Sequence, residues 1–412
     1  MSYLDKLLAG VAVEWKPLGE ISEIYGGLTG KDKADFEDGN ASYISYKNIF
    51  DNIEVNFSKL EKVKVATSEN QHAVKYGDVL FTGSSETAVE AGMSSSVTAD
   101  IEGDVYLNSF SFGLRFNDNI ELLPEFSKYL FRSHFMRLEI SKTASGVTRF
   151  NISKQRFKKI LVPIPPIEIQ KEIVRILDKF STLTAELTAE LQARKKQYNY
   201  YRDQLLNSEK NEVELKPLGE IGEVRMCKRI LKEQTSDIGE IPFYKIGTFG
   251  KDPDAYISKE LFDEYKARYN YPRIGDVLIS ASGTIGRSVI FDGIDAYFQD
   301  SNIVWIENNE KQVLNKYLFY CYQIAKWEIA EGGTIQRLYN DNLKKTKIPV
   351  PYPNDTKKSL EEQKRIVSIL DKFDTLTTSI SEGLPKEIEL RQKQYEYYRN
   401  MLLTFPKDNI KA

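Results

Sequence analysis

The sequence predicts a mixed α/β protein in which two globular domains are joined by two long antiparallel coiled-coil helices related by pseudo-two-fold symmetry. The chain has 412 residues, more than the roughly 250–300 residues at which a single hydrophobic core stops growing. Short motifs recur in the same order in both halves, and each half ends in a long apolar stripe with helical spacing. These observations predict a tandem duplication of one domain followed by one helix.

Five pairs of motifs carry the repeat, at offsets of 186 to 200 residues. They match Lys16–Ile21 with Lys216–Ile221, Gly77–Leu80 with Gly275–Leu278, Phe157–Pro165 with Leu343–Pro351, Gln170–Phe180 with Gln363–Phe373, and Gln197–Arg202 with Gln394–Arg399. A further motif occurs three times, because Tyr3–Leu8 resembles Tyr201–Leu206 and Tyr398–Leu403. Each domain is therefore preceded by the end of a helix, which predicts that the N- and C-terminal segments meet.

The repeat sets the predicted boundaries. Residues 1–165 form the first domain with a short N-terminal helix, 166–208 a long central helix, 209–354 the second domain, 355–406 a distal long helix, and 407–412 a tail. Within the first domain, alternating or apolar runs bounded by turn residues predict strands. Examples are Tyr43–Ile49, Gly77–Thr82 and Asn108–Phe116, while the amphipathic stretch Pro124–Ser141 predicts one helix.

The central helix is predicted from an apolar stripe that runs from Ile167 to about Asn207 without Gly or Pro. Its roughly 41 residues would make a rod of roughly 60 Å. So long a helix with one apolar stripe needs a partner helix, and the obvious partner is its own copy, Ser359–Phe405. In that copy Gly383 and Pro385 should kink or interrupt the helix.

Composition narrows the classes of function. No apolar run approaches the roughly 20 residues that span a bilayer, so no membrane contact is expected and the cytoplasm is the expected location. Two cysteines and two histidines without paired spacing predict neither a zinc site nor a disulfide framework. The net charge is −3, so a case for nucleic-acid binding must rest on local clusters.

Local positive charge recurs in both domains. Residues 141–167 carry six basic side chains and no acidic one, and glycine-containing turns that can approach phosphates follow each Gly-Asp-Val-Leu motif. Such groups suit phosphate contacts and base-edge hydrogen bonds; a solvated charged face and plain hairpin loops are the alternatives. The candidate DNA-binding residues are Lys47, Ser84, Ser85, Lys142, Thr148, Arg149 and Lys154, then Lys245, Arg268, Ser282, Thr284, Arg287, Gln336 and Arg337.

Catalytic motifs are scarce. Asp254, Glu264 and Lys266 could form the carboxylate–lysine arrangement of a metal-dependent nuclease, although the first domain has no counterpart. The chain has neither the Asn-Pro-Pro-aromatic motif of adenine methyltransferases nor their glycine-rich loop. We therefore expect the chain to catalyse no reaction by itself. A protein–protein scaffold with two binding domains is the other alternative, and salt-dependent duplex binding would exclude it.

The Lys-Pro-Leu-Gly-Glu-Ile starts, the Gly-Asp-Val-Leu strands, the Pro-rich exits at Val162–Pro166 and Ile348–Pro353, and the paired Ile-Leu-Asp-Lys-Phe helices resemble specificity subunits of type I restriction–modification systems. The resemblance covers nearly the whole chain. It implies that each domain reads one half of an asymmetric, bipartite sequence in double-stranded DNA. It also implies that the helices fix the unread spacer and dock two modification subunits, which bind S-adenosylmethionine and methylate adenine. ATP-dependent restriction subunits would join that core, and this chain would hold no cofactor.

The helices carry the predicted pairing and docking residues. Tyr200 lies away from the stripe and recurs as Tyr397, which suggests contact with a modification subunit; an exposed tyrosine without a role is the alternative. The tandem tetrapeptides Thr184–Leu187 and Thr188–Leu191 vary in copy number in the resembled family. Four helical residues span about 6 Å, close to two base pairs. The candidate residues are Ile173, Leu177, Phe180, Leu187, Leu191, Tyr200, Ile366, Ile369, Phe373 and Tyr397.

Overall fold

A computed structural model describes residues 3–8, 12–207, 212–329, 336–379 and 381–407. Two compact units divide the chain. The first unit comprises residues 1–187 and 387–412, and the second unit comprises residues 188–386. Each unit therefore combines one globular domain with part of the central helix and with a helix from the C-terminal region.

The strands in the described part of the first unit form four small sheets. The largest has the order β2-β9-β5-β7, a second has the order β4-β3-β8 with β3 and β8 parallel, and the others are β10-β11-β6 and β1-β12. The strands are β1 (Glu14–Pro17), β2 (Ser22–Gly26), β3 (Ala41–Ile44), β4 (Glu61–Val63), β5 (Val79–Thr82), β6 (Ser84–Ser85), β7 (Ser94–Ser96), β8 (Val105–Leu107), β9 (Ser111–Phe116), β10 (Ala144–Ser145), β11 (Phe150–Ile152) and β12 (Leu161–Ile164).

The helices of the first unit differ from the prediction in two places. The predicted strand Tyr43–Ile49 is only half strand, because a short helix begins at Tyr46 and buries Asn48 and Ile49. The predicted single helix Pro124–Ser141 is two helices, because the Ser133 side chain caps a new start by accepting from the Met136 amide. The helices are α1 (Tyr3–Leu8), α2 (Leu18–Ile21), α3 (Tyr46–Asp51), α4 (Pro124–Leu130), α5 (His134–Ser141), α6 (Lys154–Phe157) and the first part of α7 (Ile167–Leu206), with 3-10 turns at Ala34–Phe36 and Phe57–Lys59.

The second unit repeats the two main sheets. Its sheet β14-β20-β17-β18 matches the four-stranded sheet of the first unit, and β16-β15-β19 again contains one parallel pair, β15 and β19. Its strands are β13 (Val213–Pro217), β14 (Glu223–Arg225), β15 (Ile241–Tyr244), β16 (Tyr256–Ile257), β17 (Val277–Ser280), β18 (Ser288–Ile290), β19 (Tyr297–Phe298), β20 (Ile303–Glu307) and β21 (Lys347–Pro351). Its helices are α8 (Leu218–Ile221), α9 (Lys259–Arg268), α10 (Asn315–Tyr322), α11 (Asn340–Lys345) and α12 (Thr356–Thr378), with a 3-10 turn at Lys232–Gln234; α13 (Leu384–Leu402) follows.

The duplication extends to single side chains where each domain joins its helix. The buried Gln170 amide accepts from the Leu123 backbone and donates to the Glu121 and Pro165 carbonyl oxygens. The buried Gln363 amide likewise accepts from the Leu314 backbone and donates to the Gln312 carbonyl oxygen. One repeated glutamine therefore ties each domain to the first turns of the following helix.

Each unit also pairs a segment of α7 with a helix from the C-terminal region. In the first unit the Phe180 ring stacks on Tyr398 at 5.3 Å between centroids. In the second unit Phe373 stacks on Tyr201 at 5.8 Å. Phe180 and Phe373 are repeat equivalents, as are Tyr201 and Tyr398, so both units use the same aromatic contact. The prediction that the central helix packs against its own copy is confirmed within each unit.

The distal helix is broken. The predicted long helix at 355–406 consists of α12 and α13, and residues between Thr378 and Leu384 separate them. Gly383 adopts a φ of +85° there, a backbone conformation that favours glycine. This interruption confirms the effect predicted for Gly383 and Pro385 and corrects the single-helix boundary. The predicted tail from residue 407 lies outside the described residues after Lys407.

The two ends of the described chain meet in the first unit, as the cyclic order of the repeats predicts. Leu8, Leu402 and Leu403 belong to the same buried cluster. The Trp15 indole donates to the Pro406 carbonyl oxygen at 2.9 Å. None of the helices in the described ranges is long and apolar enough to cross a membrane.

Candidate nucleic-acid interface

Four of the candidate residues in the first domain line one cavity of about 500 Å³. Ser84 and Ser85 form the short strand β6 directly after β5, and β6 pairs with β11, which follows Thr148 and Arg149. The strand pairing therefore brings together residues that are about 65 positions apart in the chain. The cavity is lined by Tyr46, Phe50, Ser84, Ser85, Glu86, Glu90, Thr148 and Arg149.

Arg149 is held in this cavity by neutral groups. Its Nε donates to the Ser84 hydroxyl oxygen at 2.9 Å, and its guanidinium carbon lies 5.8 Å from the centroid of the exposed Phe110 ring. We call Ser84, Phe110 and Arg149 the first Arg cluster. Within the described part of the chain no carboxylate forms an ion pair with Arg149, and Glu86 and Glu90 line the same cavity.

The second domain places an arginine at the same turn. Ser282 forms a β-bridge with Arg337, and the Asn302 Oδ1 accepts from both the Ser282 hydroxyl at 2.7 Å and the Arg337 Nη2 at 3.1 Å. We call Ser282, Asn302 and Arg337 the second Arg cluster. Arg337 is exposed, has no carboxylate partner among the described residues, and lines a cavity of about 390 Å³ together with Met226, Ser301, Leu338, Tyr339, Asn340 and Asp341.

Three other basic candidates are neutralised inside their own domains. Lys142 pairs with Glu139 at 2.8 Å, Lys245 with Asp254 at 2.9 Å, and Arg268 with Glu264 at 2.8 Å. A cation already paired with a carboxylate releases less counterion on DNA binding than a free one. The ion pairs reduce the free positive charge at these three positions, and their DNA-binding role stays a prediction.

The Arg287 side chain also forms hydrogen bonds within its own domain. Its Nη1 donates to the Phe249 carbonyl oxygen at 3.0 Å, and the residue is only half-exposed. Its own backbone amide donates to the Ser280 hydroxyl, which ties the two ends of the turn that contains Ser282 and Thr284. Arg287 therefore shapes this turn rather than extending from it.

The remaining candidates are exposed. Lys47 lies on α3 beside the aromatic pair Tyr46 and Phe50, and Lys154 begins α6 with its ammonium 5.7 Å from the Phe112 ring centroid. Thr284 and Gln336 are exposed in the second domain, and residues 330–335 next to Gln336 lie outside the described ranges. Lys47 and Lys154 accordingly remain candidates, although neither lines the first cavity.

Two partly buried arginines, absent from the sequence-based selection, hold backbone segments next to the first cavity. The Arg132 guanidinium donates to the carbonyl oxygens of Ile49, Phe50 and Asn52 at the end of α3, and to that of Ser94. The Arg137 guanidinium donates to the carbonyl oxygens of Val89, Ala91 and Gly92. Burial lowers the pKa of each guanidinium to about 10, which leaves both protonated at neutral pH.

In the structure, each of the three residues of the nuclease alternative forms an ion pair with a different side chain. Asp254 pairs with Lys245, Glu264 pairs with Arg268, and Lys266 pairs with Asp295. The three residues therefore face three different partners. Among the described residues, no group of three or more His, Cys, Asp and Glu side chains could hold a metal ion.

The helix residues separate into core and surface positions. Ile173, Leu177 and Ile366 are buried in the cores of their own units, as expected of helix-pair positions, and their contact with another subunit stays a prediction. Phe180, Leu187, Leu191, Ile369 and Phe373 are half-buried. Tyr200 and Tyr397 are 62% and 65% exposed, and each ring packs edge-on against its neighbour, Tyr201 or Tyr398.

Sequence reasoning missed the aromatic, acidic and polar lining of the two cavities. Glu86 and Glu90 lie in the turn that follows the first Gly-Asp-Val-Leu motif. Carboxylates in such a turn do not by themselves indicate DNA binding. Phe110 and Asn302 contact the two arginines only through the tertiary structure, for which single residues carry no signal. Tyr46 lies inside the predicted strand Tyr43–Ile49 and Phe50 follows its end, so the short helix that carries both residues was not predicted.

Comparison with known proteins defines the class to which this fold and these clusters belong. The family model for the type I restriction modification DNA specificity domain matches residues 11–194 and again residues 210–390. The chain is 49% identical over 414 residues to a Haemophilus influenzae protein provisionally described as a type I restriction enzyme specificity subunit, with 98% of both chains covered. It is 34% identical over 427 residues to a type I restriction enzyme specificity subunit of Escherichia coli, covering 99% and 98%.

Solved structures show the same fold. The S subunit of a type I restriction–modification system from M. genitalium matches with a TM-score of 0.50 and 14% identity, covering 99% of this chain and 100% of that one. The HsdS subunit from Thermoanaerobacter tengcongensis matches with a TM-score of 0.53 and 17% identity, covering 95% and 96%. The chain belongs to the family of type I restriction–modification specificity subunits, and its function is DNA sequence specificity.

Proposed function

We propose that each domain reads one half of a bipartite, asymmetric sequence in double-stranded DNA. The observation that carries the proposal is the presence, in each domain and at the same strand turn, of one exposed arginine without a carboxylate partner among the described residues. On a chain with a net charge of −3, two such positions in the two copies of a DNA specificity domain supply local sites for an anionic ligand.

The chemistry of methylation belongs to other subunits in this proposal. The chain docks two modification subunits, which bind S-adenosylmethionine, and ATP-dependent restriction subunits join the assembly. The duplicated exposed tyrosines support two docking sites of one kind, because Tyr200 and Tyr397 occupy the same position in both repeats with similar exposure. The chain itself binds no cofactor and acts by recognition alone.

The helices set the length of the unread spacer. Helix α7 runs without a break from Ile167 to Leu206, and both tandem tetrapeptides lie inside it. A continuous helix transmits a change of length directly, at 1.5 Å for each residue. This continuity supports the role of the Thr184–Leu191 segment as a spacer-setting element.

The test is to express the chain with its modification subunits in a methylation-free host and to sequence methylated adenines. The expected result is one motif with two defined parts separated by unspecified bases. A single continuous motif would contradict the bipartite reading. Absence of sequence-specific methylation, together with duplex binding that does not weaken as salt rises, would favour the scaffold alternative.

A further inference from the structure

The two Arg clusters occupy equivalent backbone positions. In the first domain the Gly83 amide donates to the Phe110 carbonyl oxygen, and the Ile152 amide donates to the Gly83 carbonyl oxygen. In the second domain the Ala281 amide donates to the Asn302 carbonyl oxygen, and the Leu338 amide donates to the Ala281 carbonyl oxygen. Phe110 and Asn302 therefore stand at the same position, each one hydrogen bond away from the turn that carries Ser84 or Ser282.

The arginines reach this position from different places in the chain. The register pairs Asn151 with Ser84, whereas Arg337 bridges Ser282 directly. Arg149 therefore stands two residues before the equivalent of Arg337, yet its side chain bonds the equivalent serine. A guanidinium is thus present at one site in both domains although the residue that supplies it has shifted, which indicates that the site needs this group.

Each guanidinium is oriented and still has donors to offer. Arg149 uses only Nε, so the N–H groups of Nη1 and Nη2 have no partner among the described residues. Arg337 uses Nη2 toward Asn302, and in the described ranges its Nε and Nη1 make no hydrogen bond. Because Arg337 can only donate, the accepting atom of Asn302 must be Oδ1, which directs the Asn302 amide NH₂ away as a further donor.

Acidic side chains near each arginine favour a DNA base over a phosphate as the ligand. Glu86 and Glu90 line the cavity of Arg149, and Asp341 lines that of Arg337. Carboxylates beside the arginine repel a phosphate, whereas they accept a hydrogen bond from the amino group of cytosine. An arginine fork with a nearby carboxylate matches the major-groove edge of a G·C pair, in which guanine offers O6 and N7 as acceptors.

We propose that Arg149 and Arg337 are specificity-determining residues, each of which reads the guanine of one G·C pair in the half-site of its own domain. Ser84 and Asn302 act as positioning residues that orient the two guanidinium groups. The inference rests on the proposed function, because it requires that each domain reads its own half-site, and it goes further by naming the base and the residue.

The test uses the full complex with its modification subunits and four variants, Arg149→Gln, Arg337→Gln, Lys142→Ala and Arg268→Ala. Initial methylation rates are measured on duplexes in which each base pair of the wild-type motif is replaced in turn. Arg149→Gln should lower the preference for guanine at one position of one half-site by about 5- to 150-fold, the discrimination expected of a bidentate contact. Arg337→Gln should do the same in the other half-site only.

Each arginine variant is a folding control for the opposite half-site, which must be read as in the wild type. Lys142→Ala and Arg268→Ala remove cations that are already paired with carboxylates, and they should leave the base preference at every position unchanged. Ser84→Ala should reduce the guanine preference at the same position as Arg149→Gln, which a purely structural role would not do.

Three results would overturn the inference while leaving the proposed function intact. They are a wild-type bipartite motif with no G·C pair in one half-site, arginine variants that weaken binding equally on all sequences, and arginine variants that change nothing. Equal weakening would identify phosphate contacts. A wild-type complex without a bipartite motif would instead contradict the proposed function itself.

Discussion

Arg132 and Arg137 show how single residues shape the candidate interface without reaching its surface. Both side chains are largely buried, and both satisfy backbone carbonyl oxygens rather than carboxylates. Arg132 holds the end of α3, which carries Lys47, and Arg137 holds the turn at residues 89–92 that follows Glu86. The two residues therefore hold the backbone beside Phe50 and Glu90, which line the first cavity.

Replacement of Arg132 by Ala should destabilise the first domain. The change leaves the carbonyl oxygens of Ile49, Phe50, Asn52 and Ser94 without their donor, and an unsatisfied buried acceptor costs about 1–3 kcal/mol. Chemical denaturation monitors the effect. Arg156→Ala is the matched control, because Arg156 also donates to backbone carbonyl oxygens but is exposed; an equal loss of stability in both variants would contradict the role of burial.

At the residue scale, part of the candidate site could be predicted from the sequence. The pairs Glu139–Lys142 and Glu264–Arg268 have helical spacings of three and four, so their neutralisation could have been foreseen. The Lys245–Asp254 pair and the contacts of Arg149 with Ser84 depend on tertiary structure, which single residues do not encode. Positive charge alone is therefore a weak guide to a DNA-facing surface.

The break between α12 and α13 is the main departure at the scale of elements. A β-carbon on Gly383 would lie 2.5 Å from the Thr375 carbonyl oxygen, and the backbone there has a φ of +85°. The repeat offset rises from 193 at Gln170 and Gln363 to 197 at Gln197 and Gln394, so the second repeat has four more residues between these motifs, where the interruption lies. The additional residues therefore lie in a break between α12 and α13 and do not lengthen a helix.

Gly383→Ala should therefore lower the melting temperature of the protein more than Gly103→Ala. Both glycines have positive φ, but a β-carbon on Gly103 would meet nothing within 4 Å. The positive φ alone costs about 1–2 kcal/mol for a residue with a side chain, and Gly383→Ala adds the clash with the Thr375 carbonyl oxygen. Calorimetry measures the melting temperatures of both variants. Equal melting temperatures would show that the break tolerates a β-carbon.

Element type was predictable where hydrophobic period and repeat agreed. The strands after Gly77 and Gly275 and the helix over residues 167–206 follow directly from their apolar spacing. The helix at Tyr46–Asp51 was missed because short amphipathic segments fit more than one period. The helix predicted at Pro124–Ser141 was found, but its break before His134 was missed because it depends on a local cap, Ser133. Boundaries, more than the existence of elements, required the structure.

The whole molecule is built from one design used twice. In each unit a repeated glutamine joins domain to helix, and a repeated phenylalanine stacks on a repeated tyrosine. This internal equivalence was readable from the sequence because motif order was preserved at nearly constant offset. It supports a molecule that presents two surfaces of each kind.

Two equivalent docking sites predict that the chain binds two modification subunits. Tyr200→Ala and Tyr397→Ala should each reduce the number of bound modification subunits from two to one, and the double variant should bind none, because each exposed aromatic contributes one contact surface. Native mass spectrometry of the complexes measures this. Leu390→Ala is the control, since Leu390 is 52% exposed but has Ala193 as its repeat equivalent; retention of two subunits by both single tyrosine variants would refute the docking role.

The central claim is that two reading domains recognise two half-sites whose separation is set by the helices. Deletion of Thr188–Leu191, with methylation sequencing of the complex, tests it most directly. Removal of four residues shortens a helix by about 6 Å, so both half-sites should be unchanged while the spacer becomes one or two base pairs shorter. Methylation of the original motif with its original spacer by the deletion variant would contradict the claim.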